Sequence, residues 1–306
     1  MPRLSVIIPA RQEPFLGQTI ADVLAKRRED TEVIAVLDGA WPVTPIPDHP
    51  ALQLLHSQTV RGQRASVNDA ARLSRATYLM KLDAHCMVDE GFDVKLMAAC
   101  DGDWTVIPRM YNLHAFDWAC QTCGERTYQG PKPDECRLCH GVLHERHMVW
   151  QPRLHRRTDF ARFDRALHFQ YWRQYEKRPE ATPDIADVLC SVGACWFQTR
   201  QRFLDLGGLD EGHGSWGQVG VEVACKAWLS GGRQVVNKTT WFSHLFRTQA
   251  GFSFPYPMDV RAQEAARVYS RRLWLERGWP QAVRPFQWML DHFAPVPDWE
   301  NACVAA

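Results

Sequence analysis

Between residues 4 and 82 the chain alternates short apolar runs with amphipathic ones, and this constrains the fold more than any other feature. Leu4 to Ala10 is an apolar strand, Phe15 to Arg28 carries apolar residues at helical spacing, and Glu32 to Leu37 is a second strand stopping at Asp38-Gly39. Leu52 to His56 reads as a third strand, Gln63 to Arg75 as a helix and Tyr78 to Leu82 as a fourth strand. Strands joined through helices pair in parallel, because the crossover returns the chain to the same end of the sheet. The expected class is α/β, built on a mostly parallel sheet. Ligands of such open sheets gather beyond the carboxyl ends of the strands. Pro9 to Glu13, Asp38 and Asp83-Ala84-His85 all fall there.

The stretch MKLDAHCMV at residues 80 to 88 places an acid and an imidazole two residues apart at the end of a strand. Residues i and i+2 of an extended chain share a face, so Asp83 and His85 could reach one metal ion or one substrate. The plainer alternative is a turn opened by Asp83 and a satisfied polar His85.

A second cluster lies in the cysteines. Of ten, four form Cys120-x-x-Cys123 and Cys136-x-x-Cys139 with twelve residues between the pairs. Two such knuckles can present four thiolates to one zinc ion, closing its coordination and making the site structural. A disulfide framework suits a small secreted chain better than one of 306 residues. His140 and His144 are expected to be solvated neighbours of this site. Cys86, Cys100, Cys190, Cys195, Cys225 and Cys303 show no pairing spacing.

With 36 Lys and Arg against 35 Asp and Glu, the chain has no global basic footprint. No window has the length and apolarity of a membrane span, and the first residues show no charged leader before an apolar run. The expectation is a soluble cytoplasmic protein with no membrane contact. After a strand at Thr105 to Arg109 the pattern breaks. Residues 119 to 147 read as an inserted zinc ribbon, with Gly130-Pro131-Lys132-Pro133 looping between the knuckles. Residues 152 to 178 carry eight Lys or Arg against three Asp or Glu, interleaved with Phe, Tyr and Trp. Such a mixture can track a phosphate backbone and stack on bases, or it can be a solvated face over an aromatic stripe. Leu189 to Thr199 then reads as a strand, Val219 to Leu229 as a helix, Gln234 to Asn237 as a strand and residues 259 to 277 as a long amphipathic helix. Four segments are expected: 1–118 as a nucleotide-sugar-binding half, 119–147 as the ribbon, 148–258 as an acceptor-side half and 259–306 as a helical extension.

These landmarks resemble GT-A glycosyltransferases over most of the chain. SVIIPARQE and VLDGA look like the nucleotide-binding strand ends of family 2 enzymes. RGQRASVNDAARLSRATYLMKLDAHC, VGACWFQTRQRFLDLGGLDEGHGSWGQ and HLFRTQAGFSFP are similar, in order and spacing, to segments of polypeptide N-acetylgalactosaminyltransferases. The resemblance implies a GT-A (Rossmann-like) fold and a metal-dependent transferase using a nucleotide-sugar of the UDP kind. It further implies that Asp83, His85 and His244 hold manganese, or magnesium, against the diphosphate. Carboxylate and imidazole together suit such a borderline ion. Pro9, Ala10 and Glu13 would lie near the base or ribose and Asp38 near the uracil or ribose, unless Asp38 is simply a turn residue before Gly39. Arg64 and Asn68 would face the nucleotide, and Arg247 would contact phosphate. The GGLDE turn and Trp216 would wall the donor sugar.

One departure matters. Where these families carry an acidic pair, residues 217 to 222 read GQVGVE, leaving Glu222 alone. An inverting transferase needs a carboxylate base, so Glu222, Asp210 or Glu211 would supply it. Otherwise the reaction retains configuration and the leaving phosphate takes the proton. The ribbon and the basic aromatic stretch would suit a nucleic-acid acceptor, such as a hydroxymethylated base in DNA. A protein or glycan hydroxyl is the alternative acceptor. A non-catalytic binding protein on a degenerate scaffold is the rival class, and a pyrophosphorylase is disfavoured because PARQEP lacks a glycine-rich loop. Sequence alone leaves the oligomeric state open.

Overall fold

The computed structural model describes residues 1–247, 253–254 and 259–299. Strand β1 (Leu4–Ala10), helix α1 (Leu16–Lys26), β2 (Thr31–Asp38), β3 (Leu52–Ser57), α2 (Gln63–Leu73) and β4 (Tyr78–Leu82) follow the sequence expectation closely. After them come β5 (Cys86–Val88), α3 (Phe92–Ala99), β6 (Trp104–Cys120), β7 (Arg126–Tyr128), β8 (His144–Thr158), β9 (Ala161–Phe163), β10 (Phe169–Tyr171) and β11 (Ile185–Asp187). The described part closes with β12 (Cys195–Thr199), α4 (Arg200–Asp205), α5 (Val219–Leu229), β13 (Arg233–His244), α6 (Val260–Arg271) and α7 (Phe286–His292).

The main sheet runs β11-β13-β6-β12-β4-β1-β2-β3, with β1 to β4 mutually parallel where they meet. Side chains alternate across it as strand geometry requires. Val6 and Ile8 of β1 turn to a core under α1 and α3, whereas Ile7 joins a larger core under α2 and α5. Each such fully buried side chain contributes roughly 1.5–3 kcal/mol relative to exposure. The stretch after residue 259 completes that larger core, since Trp274, Phe286, Met289, Phe293 and Trp299 all pack into it.

Three expectations need correction. The strand expected to end at Arg109 continues to Cys120, because β8 pairs with it antiparallel as far as Cys120↔His144. The strand expected from Leu189 begins at Cys195, since the preceding residues form a loop with Gly193 at φ +82°. The strand expected to end at Asn237 runs on to His244 after a register shift between Asn237 and Trp241. The expected long C-terminal helix is α6, continued by one wider turn at Arg272–Arg277; residues 300–306, with Cys303, lie outside the described residues, as does half of HLFRTQAGFSFP.

The four ribbon cysteines sit at the tip of the β6–β8 hairpin. Cys120 and Cys139 sulfurs are 3.6 Å apart, as are those of Cys123 and Cys136. Four thiolates around a tetrahedral zinc at about 2.3 Å would stand about 3.8 Å from one another, so the cluster fits that ion. Each knuckle is tightened by a backbone turn, Gly124 N–H to Cys120 C=O at 2.9 Å and His140 N–H to Cys136 C=O at 2.8 Å. His140 is solvated as expected, but His144 is buried, because it opens β8 opposite Cys120.

Candidate active site

Beyond Leu82 the chain leaves the sheet, and Asp83 anchors its own N–H on Ala194 C=O at 2.9 Å. Asp83 and His85 lie in the turn between β4 and β5 rather than on an extended face. They converge nonetheless, and His244, the last residue of β13, meets them from the other side. His244 is in register with Cys86 of β5 and Asn112 of β6, which fixes its position from both flanks. One ligand atom from each of Asp83, His85 and His244 lies within 4.8 Å of the others. The His85 and His244 Nε2 atoms face each other at 3.0 Å, and His244 Nε2 is 3.3 Å from Asp83 Oδ2. Two imidazole lone pairs so close need a proton or a cation between them. Burial, with the charge of His85 adding to it, pushes the His244 ring down to about 4 despite its bond to Asp83, which favours the neutral, ligating form. A carboxylate and two imidazoles fit a manganese-type ion.

Lys81, wholly buried, is a part of the site that sequence reasoning missed. Its ammonium bonds Asp83 and donates to Gly193 C=O at 2.8 Å. Burial alone would raise the Asp83 carboxyl, but Lys81, followed by His244, outweighs it and keeps the group ionised well below the usual range. The signal was present: a lysine two residues before Asp83, in an otherwise apolar strand. Gln63 at the start of α2 holds the same oxygen, Nε2 to Asp83 Oδ1 at 3.1 Å.

Glu13 stands behind the histidine. Its Oε2 is 3.1 Å from His85 Nδ1, and its Oε1 accepts from Arg247 Nη2 at 2.7 Å and from Phe15 N–H at 3.2 Å. Burial opposes the charge, yet His85 first and then Arg247 keep the carboxyl below its ordinary value. This carboxylate is therefore committed to His85 and Arg247, not left free for a base or ribose as expected. A carboxylate on the far nitrogen of a ligating imidazole fixes its tautomer and raises its basicity. Glu13→Gln is expected to weaken manganese binding about 10- to 100-fold, checked by titration calorimetry with the metal and UDP.

Pro9 and Ala10 end β1 beside Val36 and Leu37 of β2. Asp38 closes that strand with both oxygens on backbone, accepting from Arg61 N–H at 2.7 Å and Gly62 N–H at 2.9 Å. It shapes the loop that leads into α2. Arg64 and Asn68, expected on the side that faces the nucleotide, are both buried. Arg64 is almost wholly buried and donates to Glu222 at 2.9 Å and Gly217 C=O at 2.7 Å. Asn68 exchanges two bonds of 2.8 Å with Leu209 and donates to Glu211 at 3.0 Å. Both tie α2 to the 208–217 loop.

The same packing removes Glu222 from the candidate bases. It is fully buried, with Oε2 on Arg64, Oε1 3.0 Å from Lys226 and the Asp210 N–H on Oε1 as well. No acceptor can approach it. Its neighbours offer no replacement: Val219 packs into the core, and a Cβ at Gly220 would lie 1.9 Å from Ser191 C=O. Asp210 accepts from Tyr269 Oη at 2.9 Å and Gly212 N–H at 2.9 Å, while Glu211 is exposed. Trp216, 39% exposed, sits on the loop whose Ser215 C=O receives Gln63 N–H at 3.2 Å, beside the residue that holds Asp83.

A mixed sheet whose parallel part is β3-β2-β1-β4, with a carboxylate and two imidazoles gathered beyond its strand ends, has the architecture of a GT-A-like fold. The chain belongs to the family described as glycosyl transferase family 2, which residues 5–198 match. Within it the chain is close to the polypeptide N-acetylgalactosaminyltransferases. It is 23% identical over 345 aligned positions, covering 95% of its length and 56% of the relative's, to a Drosophila melanogaster protein bearing the name polypeptide N-acetylgalactosaminyltransferase 13. It is 24% identical over 209 positions to human polypeptide N-acetylgalactosaminyltransferase 6, covering 67% of this chain and 29% of that one. Among solved structures it resembles GalNAc-T7 with UDP, GalNAc and Mn2+, with a TM-score of 0.64 and 17% identity over 95% of this chain and 56% of that one. The chain thus spans about half the length, or less, of these relatives. No helix among the described residues is long and apolar enough to cross a membrane.

Proposed function

We propose that the protein transfers a sugar from a UDP-sugar to an acceptor hydroxyl, with manganese held by Asp83, His85 and His244. The observation that carries this reading is the meeting of three ligands from two segments some 160 residues apart, with Glu13 behind one and Lys81 behind another. The neighbouring GalNAc-T7 structure, which contains UDP and Mn2+, supports the choice of nucleotide and ion. Bound there, the ion would offset the charge that develops on the leaving diphosphate. Asp83 stays ionised through Lys81 and Gln63, and Glu13 holds His85 in the ligating tautomer. With Glu222 sealed and position 220 closed, the reading favours retention. The bond from the anomeric carbon to the phosphate oxygen breaks, the acceptor oxygen bonds that carbon, and its proton passes to the leaving diphosphate. The four cysteines hold a structural zinc in this reading.

The acceptor in this proposal is a hydroxyl on nucleic acid, such as a hydroxymethylated base in DNA, which would place the protein in the cytoplasm with its substrate. A hydroxyl on a polypeptide is the second reading, favoured by the names of the relatives. The test is UDP release from a panel of UDP-sugars, with manganese or a chelator, alone and with hydroxymethylated DNA or serine- and threonine-rich peptides. Manganese-dependent release stimulated by the DNA is the expected result. Stimulation by peptide alone selects the second reading, and no release with any sugar refutes the donor assignment.

A further inference from the structure

The β6–β8 hairpin is not regular. Its pairing jumps between Tyr111↔Arg157 and Asn112↔Arg153, so Leu154, His155 and Arg156 bulge out of β8. Bulges re-aim side chains and recur beside active sites. Here the bulge opens a cavity of about 350 Å³ into which four arginines project: Arg153, Arg156, Arg157 and Arg173. No Asp or Glu among the described residues lines it. Arg153 is held against Tyr128, with Nη1 3.0 Å from the phenol oxygen and the guanidinium 4.8 Å from the ring centre. Arg157 has two carboxylates at 3.8 Å, Asp159 and Glu176, as its ion-pair partners among the described residues. Arg156 and Arg173 have no carboxylate partner among the described residues. Tyr128 and Tyr171 stand at the cavity with 40% and 42% exposure.

Four guanidinium groups line one space, and only Arg157 among them has carboxylates within 4 Å among the described residues, so the positive charge left over favours entry of an anion. Guanidinium is the side chain best matched to phosphate, through paired N–H donors. The cavity also borders the metal site. His244 of β13, Asn112 of β6 and Arg153 of β8 are successive partners across three strands, which sets Arg153 about 10 Å from His244 along the sheet. Phe246 lines the cavity, and its ring centre is 4.4 Å from that of His244.

We propose that this cavity is an acceptor subsite that grips a phosphodiester of a single-stranded nucleic acid while Tyr171 stacks on an unpaired base. Basic grooves combined with exposed aromatics bind single strands in this way, and an enzyme acting on a base must take it out of the duplex. The inference rests on the transferase reading of the neighbouring site and supplies its acceptor class.

The experiment is fluorescence anisotropy of a labelled single-stranded oligodeoxynucleotide across a salt series, with wild type, Arg156→Ala/Arg173→Ala and Arg3→Ala outside the cavity. Manganese–UDP binding is measured on the same preparations by calorimetry. The double variant is expected to bind the strand about tenfold more weakly per arginine. Its salt slope should fall by about 1.4, since each phosphate contact on a single strand contributes about 0.7. Arg3→Ala and manganese–UDP binding should not change. An unchanged slope overturns the proposal, as does polyglutamate binding that is equally tight and equally sensitive to the double substitution. Wild type that binds manganese–UDP but no strand refutes the subsite alone; strand binding without manganese–UDP binding refutes the donor site alone.

Discussion

Asp83→Ala and His244→Ala are each expected to lower manganese-dependent UDP release by about a thousandfold, while zinc content, measured by mass spectrometry on purified protein, stays at the wild-type level. The two variants should part company in stability. Asp83 is the charge partner of the buried Lys81 ammonium, so removing it leaves an uncompensated buried cation and costs about 3–5 kcal/mol. His244→Ala leaves no such orphan and should denature in urea close to wild type. Loss of zinc from either variant would mean that the ribbon and the donor site are one metal system. Full activity in both would remove these residues from the reaction.

Glu222→Ala is expected to destabilise the fold by about 3–5 kcal/mol, read from the urea midpoint at unchanged slope. The carboxylate is the shared partner of Arg64 and Lys226, both nearly excluded from water, and it receives the Asp210 N–H. Burial would raise its carboxyl, but Lys226 first and Arg64 next reverse that, so the folded value lies below the unfolded one near 4.3. The stabilisation it contributes is therefore complete above that unfolded value and lost as pH falls through the folded one. Wild type should weaken on the acid side, and the variant should lack that component. A variant as stable as wild type but unable to release UDP would restore Glu222 as a catalytic group.

What could be read in advance follows from how local each signal is. The bounds of β1, α1, β2 and β4 were legible because apolar periodicity is written within each segment. The extents of β6 and β13 were not, since both are set by partners: β6 runs to Cys120 only because β8 returns beside it, and β13 reaches His244 between β5 and β6. Asp83, His85 and His244 could be named from motif likeness, but Glu13 and Lys81 acquire their roles only when strands far apart in sequence come together. Arg64, Asn68 and Glu222 carry the residue types of a binding site and serve as braces. A sequence lists polar side chains without saying whether they face water or one another.

The continuity of β6 couples two distant places through register. One strand carries Asn112 beside His244 and ends in Cys120 inside the cysteine cluster. A slip of one residue between β6 and β8 would turn every side chain of the slipped strand to the opposite face, swinging Arg153 away from Asn112. With a metal held by the four cysteines, the tip would allow one alignment of the strand ends next to it. The cysteine tip therefore acts as an index mark for the outer part of the hairpin, and the shift between His114 and Phe116 then sets which residue of β8 stands beside Asn112.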